Sequence, residues 1–313
     1  MKLMVLCLFL LLGSPEGEPD SLRVLFWNVE NFFDWRADST STSELEFTSH
    51  GEKHWTKRRF KAKANAIAKT FLWADLPDVI GLAEVENRLV LKKLLEDTAL
   101  RKLDYKIVHY DSPDRRGIDV ALLYRASRLE LTGAKPVHLY EADSTLIPTR
   151  DILLAEFRPA GSGRPVAFLV NHHPSKYGGD KSDRRARAVG RLKQLADSLL
   201  TAGTVRIVAM GDMNDTPANP VYKTLEPELK NLAEPLHRQG EGTIRFDGDW
   251  ELIDMFFASP DAGAGPMRIL HPPFLTVPDK AHGGTKPLRT YSGPRYMGGV
   301  SDHRPITIKL VYL

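Results

Sequence analysis

The stretch RIVAMGDMNDTP, residues 206 to 217, runs from apolar residues into three small polar ones, Asp212, Asn214 and Asp215. Its apolar half is typical of a buried β-strand. A turn after such a strand needs only one or two Asn or Asp residues. The polar cluster therefore contains more acidic groups than the turn requires, and we interpret the end of this strand as part of a functional site.

The length and composition of the chain fit one large globular domain. It has 313 residues, 42% of them hydrophobic, which is enough for a substantial core. No repeat, low-complexity tract or long linker divides the sequence, which favours a single domain. The 43 basic and 40 acidic residues give a net charge of +3. That charge permits a polyanionic substrate without requiring one.

The N-terminal segment predicts export. Met1 and Lys2 precede the apolar run LMVLCLFLLLG and the polar stretch SPEGEPD, in the order found in secretory signal peptides. Because the run is too short for a stable transmembrane helix, we expect residues 1–20 to be a signal peptide and residues 21–313 to form the mature domain, without stable membrane insertion. Cys7 is the only cysteine, and a mature chain without disulfides favours a bacterial periplasmic or secreted protein.

Apolar periodicity predicts more strands than helices. Because the strands include both continuous apolar runs and alternating ones, two mixed sheets flanked by helices are favoured over one parallel sheet. Residues 39–55 read as a polar loop. We predict helices at 58–74, 87–100 and 182–200, and strands at 22–33, 78–87, 105–110, 118–125, 151–157, 165–173, 204–211, 250–259 and 305–313.

Polar residues interrupt six of these apolar strands near an end. Taken singly, most have an ordinary explanation: Asn28 could cap a turn, Glu84 could lie on the surface, and His172 could be a hydrogen-bonded core residue. Asp254 is harder to explain in this way, because apolar residues enclose it and a buried carboxylate needs a partner. The six interruptions lie in WNVEN, LAEVE, NHHPSK, GDMND, LIDMFFAS and SDHRP.

This ordered set of motifs resembles the endonuclease/exonuclease/phosphatase superfamily. The resemblance extends from about residue 22 to residue 311, nearly the whole mature chain. It implies a DNase I-like α/β fold: a four-layer α/β/β/α sandwich of two packed mixed β-sheets, with helices outside and a metal-dependent site at one rim of the sheets. Members of the superfamily hydrolyse phosphodiesters or phosphomonoesters.

The resemblance also implies catalytic roles. Asp212 would orient or deprotonate the attacking water. Asn214, two residues further along an extended segment, would hold the phosphate or that water from the same side. His303 would contact a phosphate oxygen, while Asp254 accepts its other N–H and favours the imidazolium. His172 would assist the leaving group.

Metal and phosphate ligands follow from the same motifs. Oxygen ligands suit Mg²⁺ or Mn²⁺, and we expect one or two ions. Glu84 is the first choice of ligand, with Glu30 and Asp302 next; the family often has Asp where this chain has Glu30. Asn28 is expected to bind phosphate or to fix a carboxylate.

Basic and aromatic residues give less specific signals. Arg116 could clamp a phosphate or lie in a solvated loop. Lys176, in NHHPSK, is close enough along the chain to meet the same anion. Basic runs at 52–63 and 184–191 could contact nucleic acid, although most such runs are solvated helix faces. Two tyrosines ahead of SDHRP could stack on a base, close a pocket or pack their loop: Tyr291 and Tyr296.

Three functions are compatible with the sequence. The first is an exported, monomeric, Mg²⁺- or Mn²⁺-dependent hydrolase of phosphate esters, most simply a nuclease-like phosphodiesterase. The second is a phosphatase or phospholipase acting on a sugar phosphate, an inositol phosphate or a sphingomyelin-like headgroup; the lack of a long hydrophobic hairpin disfavours the lipid substrate. The third is a binding module without turnover, which is disfavoured because every expected catalytic position holds a competent residue type.

Overall fold

Two six-stranded β-sheets form the framework of the fold. The structure is a computed structural model that describes residues 21–36, 42–161, 164–175 and 182–311. The predicted signal peptide, residues 1–20, and the predicted anion-binding Lys176 lie outside the described residues.

The helices and strands have the following bounds. The helices are α1 (Thr42–Glu46), α2 (Lys57–Trp73), α3 (Arg88–Glu96), α4 (Ser182–Thr201) and α5 (Glu234–Arg238). The first sheet has the order β13 (Arg268–Ile269), β18 (Ile306–Val311), β1 (Ser21–Phe32), β2 (Val79–Val85), β4 (Asp119–Arg125), β3 (Tyr105–His109). The second has the order β5 (Leu129–Val137), β6 (Ile152–Pro159), β7 (Val166–His172), β8 (Arg206–Asp212), β12 (Asp254–Ala258), β9 (Lys230–Asn231). Short hairpins pair β10 (Ile244–Phe246) with β11 (Asp249–Glu251), β14 (Thr276–Pro278) with β15 (Thr285–Pro287), and β16 (Tyr291–Ser292) with β17 (Arg295–Tyr296).

Each large sheet contains one parallel pair of strands. In the first sheet β1 lies parallel to β2, and in the second β7 lies parallel to β8. Parallel neighbours need a crossover connection, which α2 supplies for β1 and β2 and α4 supplies for β7 and β8. The antiparallel neighbours β18 and β12 begin where β1 and β8 end. Six strand ends therefore meet at one rim.

The central strands are buried on both faces. On β1, Leu22, Val24 and Phe26 belong to the core cluster that fills the space between the sheets. The alternate residues belong to the cluster packed with α2 and α3, because side chains of a strand alternate between its faces. The apolar residues of α2 are buried at helical spacing. These observations confirm the predicted four-layer sandwich.

Large and small residues bring the two sheets together. Tyr124 on β4 packs its ring edge against Phe157 on β6, with ring centroids 4.9 Å apart. Phe157 also packs against Phe168 on β7, at 5.9 Å. The Met210 side chain of β8 packs against the backbone of β2, since a Cβ atom on Gly81 would lie 2.9 Å from its Sδ. The rim of one sheet is thus held within side-chain reach of the other.

Some elements differ from the predictions. The edge strand β5 was not predicted, because only two of its nine residues are buried and no apolar alternation marks it. The predicted strand at 250–259 is wrong in its extent: β11 and β12 are separate strands with Leu252 and Ile253 between them. The predicted polar loop at 39–55 contains the helix α1 and the buried Phe47 and Trp55.

We expect Phe157→Ala to reduce the free energy of unfolding by about 3–5 kcal/mol, because it removes a ring that is 0% exposed and packed between the sheets. Urea unfolding followed by circular dichroism measures the change. Leu72→Ala, on a helical residue that is 43% exposed, is the control and should change stability by less than about 0.5 kcal/mol. Equal effects of the two substitutions would contradict this account of the core.

Candidate active site

Three predicted site residues lie side by side in the second sheet. His172 ends β7, Asp212 ends β8 and Asp254 begins β12. His172 is paired in register with Asp212, and Asp212 with Asp254. Because residues in register point to the same face of a sheet, the three side chains form a row. All three are buried.

The first sheet adds an amide and a second imidazole to this row. Asn28 donates from Nδ2 to Oδ2 of Asp212 at 3.0 Å. His303 places Nδ1 2.8 Å from Oδ2 of Asp254 and Nε2 3.8 Å from Oδ2 of Asp212. His172 places Nε2 3.6 Å from the same Asp212 oxygen. Oδ2 of Asp212 is therefore the common neighbour of one amide and two imidazoles.

Hydrogen bonds tie the loop that carries His303 to strand β1. The indole N–H of Trp27 donates to the His303 carbonyl at 2.9 Å. The Ser301 hydroxyl donates to the Asn28 carbonyl at 2.6 Å and accepts from the His303 N–H at 2.9 Å. The position of the imidazole is thus fixed by the backbone of the neighbouring strand.

Burial and neighbouring charges set opposite protonation preferences within the row. Burial raises the pKa of Asp212 to about 7; the charge of His303 and the Asn28 hydrogen bond oppose this effect, and the Asp254 carboxylate adds to it. Burial by itself would lower the pKa of His303, but Asp254, Asp212 and Asp302 outweigh it and raise that pKa well above its ordinary value. His303 is therefore an imidazolium at neutral pH.

His172 has the opposite preference. Burial lowers its pKa well below the ordinary value, and the charges of Arg150 and Arg116 add to this effect. Its Nδ1 is buried and has no hydrogen-bond partner among the described residues. The site thus places a neutral imidazole and a protonated one near the same Asp212 oxygen.

The three predicted metal ligands form an acidic cluster beside the row. Glu30, Glu84 and Asp302 all interact with the charges of Lys63 and Arg289. Arg289 lies 3.2 Å from Oε1 of Glu30 and 3.0 Å from Oδ2 of Asp302. Lys63 is buried and donates to the Glu30 carbonyl. Burial lowers the pKa of Lys63 to about 8 in spite of the three carboxylates.

The individual carboxylates differ in how fully protein donors occupy them. Oε2 of Glu30 accepts from the backbone N–H of Thr290 at 2.8 Å, so both of its oxygens have protein partners. Oε2 of Glu84 accepts from the backbone N–H of Asn31 at 2.8 Å, and its Oε1 lies 3.6 Å from Arg116. The Asp302 side chain is 39% exposed. Glu84 and Asp302 are accordingly more available to an external cation than Glu30.

This donor set fits a divalent metal ion. Carboxylate oxygens are the ligands that Mg²⁺ and Mn²⁺ favour. Among the described residues, two groups place ligand atoms within 4.8 Å of one another, and the acidic cluster is not one of them: Asp212 with Asp254 and His303, and His109 with Asp111 and Asp119. In both, a hydrogen bond between an imidazole and a carboxylate already occupies ligand atoms. The acidic cluster is the better candidate.

Asn214 lies beside Asp212, but not for the predicted reason. Strand β8 ends at Asp212, and Asn214 has a left-handed backbone with φ of 50°. Its N–H donates to Oδ1 of Asp212 at 2.9 Å, and its Nδ2 donates to the His173 carbonyl at 2.9 Å. The prediction of an extended segment is wrong, and a turn brings the Asn214 N–H to the Asp212 carboxylate. The role of Asn214 toward phosphate stays a prediction.

Arg116 separates two recesses at the rim. It donates to the Asn31 side chain at 2.8 Å. A cavity of about 260 Å³ lies on the side of the acidic cluster and is lined by Glu30 and Arg289 among others. A cavity of about 490 Å³ lies on the other side, against the residues that follow His173. Four arginines line this larger recess: Arg115, Arg116, Arg150 and Arg184.

The two tyrosines ahead of SDHRP pack their loop. Tyr291 is buried, and its hydroxyl donates to the Lys53 carbonyl at 2.7 Å. Its ring contacts Phe47 and Tyr296 edge-on. Of the three explanations open from the sequence, loop packing is the one that these contacts support.

Three basic residues at the site were missed in the sequence. Lys63 lies on the apolar stripe of α2, and a lysine at such a position is itself a signal, since lysine is rarely fully buried. Arg150 lies two residues before the buried strand β6. Arg289 lies in a segment noted only for its tyrosines, and no local pattern distinguishes it. Arg150 and Arg289 become recognisable only once the carboxylates are placed around them.

Comparisons with known proteins show what this chain is similar to. Nocturnin from Xenopus laevis is 25% identical over 231 residues, 70% of this chain and 54% of that protein, so the chain spans about half the length of this relative. The structure of the human nocturnin catalytic domain with bound sulfate matches with a TM-score of 0.60 and 18% identity, over 95% of this chain and 96% of that one. A mannosyl-6-phosphatase from Bacteroides thetaiotaomicron matches with a TM-score of 0.61 and 17% identity, over 93% and 100%.

The two structural likenesses show the fold alone. Among the described residues, no helix combines the length and apolarity that a membrane crossing would need.

A family model described as the Endonuclease/Exonuclease/phosphatase family matches residues 23–312. The chain therefore belongs to the endonuclease/exonuclease/phosphatase family, whose members are divalent-metal-dependent hydrolases of phosphate esters.

Proposed function

We propose that this protein is an exported, monomeric phosphodiesterase of the nuclease type, dependent on Mg²⁺ or Mn²⁺, that cleaves its ester by attack of an activated water. The observation that carries the proposal is the convergence of Asn28, His172 and His303 on one buried oxygen of Asp212, next to an acidic cluster. The base Asp212, the cationic hydrogen-bond donor His303 and the metal ligands then lie at the same rim.

Asp212 is the base in this proposal. A carboxylate with a pKa of about 7 is half deprotonated at neutral pH and still basic enough to accept a proton from water. Asn28 and the Asn214 N–H donate to its two oxygens and so fix its orientation. The attacking water would lie against Oδ2, the oxygen that faces both imidazoles.

The two imidazoles act on different oxygens of the phosphate. His303, held as an imidazolium by Asp254, donates from Nε2 to a non-bridging oxygen and stabilises the charge that develops there. His172, neutral, donates a hydrogen bond to the departing oxygen. Glu84 and Asp302 would hold the divalent cation, which when bound neutralises phosphate charge and stabilises the leaving oxygen.

The larger recess supports a phosphodiester over a monoester. A substrate that continues past the scissile bond needs room and positive charge on the His172 side, and four arginines line 490 Å³ there. Arg115 has no ion-pair partner among the described residues, so its charge is available to a second phosphate. The other three arginines are each paired with a carboxylate. The charge that selects an anion in this recess is therefore that of Arg115, and the net charge of the chain is not needed.

The smaller recess favours a second candidate, a sugar-phosphate phosphatase. Its volume of about 260 Å³, with Ser43, Asn31 and Glu46 in the lining, suits one polar ring beside the acidic cluster. The likeness to a mannosyl-6-phosphatase agrees with this alternative.

A turnover screen distinguishes the candidates. Purified protein is incubated with DNA, RNA, bis(p-nitrophenyl) phosphate and mannose 6-phosphate, each with Mg²⁺, Mn²⁺ or a chelator. We expect metal-dependent cleavage of the diesters at rates at least about tenfold above that of the monoester, since only diesters reach both recesses. Faster release of phosphate from mannose 6-phosphate would instead support the phosphatase, and no turnover of any ester would contradict both.

We expect Asp212→Asn and His303→Ala each to lower kcat by roughly 10²–10⁴-fold, because each removes a group placed at the reacting atoms. Initial rates on bis(p-nitrophenyl) phosphate measure the loss, and circular dichroism shows whether the fold is retained. Asp197→Asn, on the exposed face of α4, is the control and should keep the wild-type rate. Wild-type rates in both site variants would refute the assigned roles.

The pH dependence follows from the same groups. Since Asp212 must be deprotonated to act as base, kcat/KM should rise with pH through about 7. It should fall at alkaline pH, when His303 loses its proton. The Asp254 carboxylate raises both pKa values, so Asp254→Asn should move both limbs to lower pH.

Full pH profiles of kcat/KM for the wild type and Asp254→Asn test this expectation. Asp261→Asn, on an exposed residue of a short 3-10 helix, should leave both limbs in place. An unchanged acid limb in Asp254→Asn would show that Asp212 is not the group whose titration controls the rate.

A further inference from the structure

One backbone carbonyl joins two loops at the end of β7. The His173 carbonyl accepts from Arg150 at 2.6 Å and from Nδ2 of Asn214 at 2.9 Å. The His173 N–H donates to the Asp212 carbonyl at 2.9 Å. The backbone of His173, the residue after His172, thus makes three hydrogen bonds, and Arg150 is the one charged donor to it among the described residues.

The other end of the Arg150 guanidinium holds a second loop. Arg150 donates from its other terminal nitrogen to Oδ2 of Asp114 at 3.0 Å. Oδ1 of Asp114 accepts the backbone N–H of Arg116 at 2.9 Å, and the Asp114 carbonyl accepts the N–H of Gly117 at 3.1 Å. This turn carries the Arg116 side chain to Asn31 and Glu84. One guanidinium therefore connects the His172 strand to the Arg116 turn.

We propose that Arg150 is a positioning residue for catalysis, which fixes His172 and Arg116 relative to each other on the two sides of the substrate phosphate. The inference rests on the proposed phosphoesterase function. It assigns Arg150 no contact with the reacting atoms.

The chemistry of arginine suits this role. A guanidinium has donors directed along fixed lines in one plane, so it can bind a carboxylate on one side and a carbonyl on the other without losing alignment. The Arg150 and Asp114 side chains are 8% and 5% exposed. A buried ion pair stabilises a fold little more than apolar side chains of the same volume would. What the ion pair adds, and apolar side chains could not, is a fixed geometry between the two loops.

The charge of Arg150 also acts on the histidines that it positions. After burial, it is the largest influence that lowers the pKa of both His172 and His173. A neutral side chain at residue 150 would remove the alignment and this charge together. A lysine would keep the charge but, with one nitrogen, could not reach both loops in the same geometry.

A matched pair of arginines tests the proposal. Arg128 makes the same kinds of contact as Arg150: an ion pair with Asp78 at 3.3 Å and a hydrogen bond to the Ser21 carbonyl at 2.5 Å. Asp78 precedes β2, whose opposite end carries Glu84, so Arg128 lies at the far rim. Arg128→Met therefore removes an equivalent network without touching the site.

We expect Arg150→Met and Arg150→Lys to lower kcat on bis(p-nitrophenyl) phosphate by about 100-fold, the cost of a displacement of about 1 Å at a catalytic group, with KM changed by less than about threefold. Arg128→Met should keep the wild-type kcat. In Arg150→Ala, added guanidinium ion should restore about a tenth or more of the lost rate. A rise in KM with kcat unchanged would mean that Arg150 binds substrate directly, and would overturn the proposal.

A readout without turnover separates this inference from the proposed function. In NMR spectra of protein labelled at histidine, the ring resonances of His172 should shift in Arg150→Met, stay in place in Arg128→Met, and return toward the wild-type position when guanidinium is added to Arg150→Ala. Unchanged His172 resonances in Arg150→Met would refute positioning by Arg150, whatever ester the protein hydrolyses. Shifted resonances in a protein that hydrolyses no ester would refute the proposed function alone.

Discussion

The buried carboxylate of Asp212 is the group on which the rest of the site depends. A carboxylate that is 2% exposed is costly unless donors surround it. Its donors come from both sheets: Asn28 from the first, and the Asn214 N–H from the loop that follows β8 in the second. The sandwich must therefore close with β1 and β8 in one particular alignment, and that alignment also brings the two histidines to the same oxygen.

Left-handed backbone and partly buried charged groups occur together at the same rim. Four residues other than glycine have a left-handed backbone there: Glu30, Asn31, Glu84 and Asn214. Such conformations persist only where the surrounding structure imposes them. The large apolar clusters between and outside the sheets stabilise the fold, so the rim can keep groups arranged for chemistry. Lys63 and Arg289 hold the acidic cluster together and set which carboxylates remain available to a cation.

Periodicity and motif order predicted the fold well, because a strand buried on both faces requires a continuous apolar run. The ends of β1, β2, β7 and β8 could be located in this way, and so could the polar residues that interrupt them. Strand β5 could not be found, because an exposed edge strand needs no apolar pattern. The extended geometry expected at Asn214 was wrong, because turn conformation depends on the hydrogen bonds that the turn makes after folding.

The sequence by itself determined the order of the polar motifs along the chain, the family resemblance and the acidic, amide and imidazole groups of the site. Only the tertiary structure decided which positively charged side chains lie beside these groups. Lys63, Arg150 and Arg289 come from a helix, a strand approach and a loop, and nothing local marks the carboxylates that they meet. Electrostatic partners are determined by distance in space, and Glu30 and Arg289 come within 3.2 Å only when the loop that carries Arg289 packs against β1.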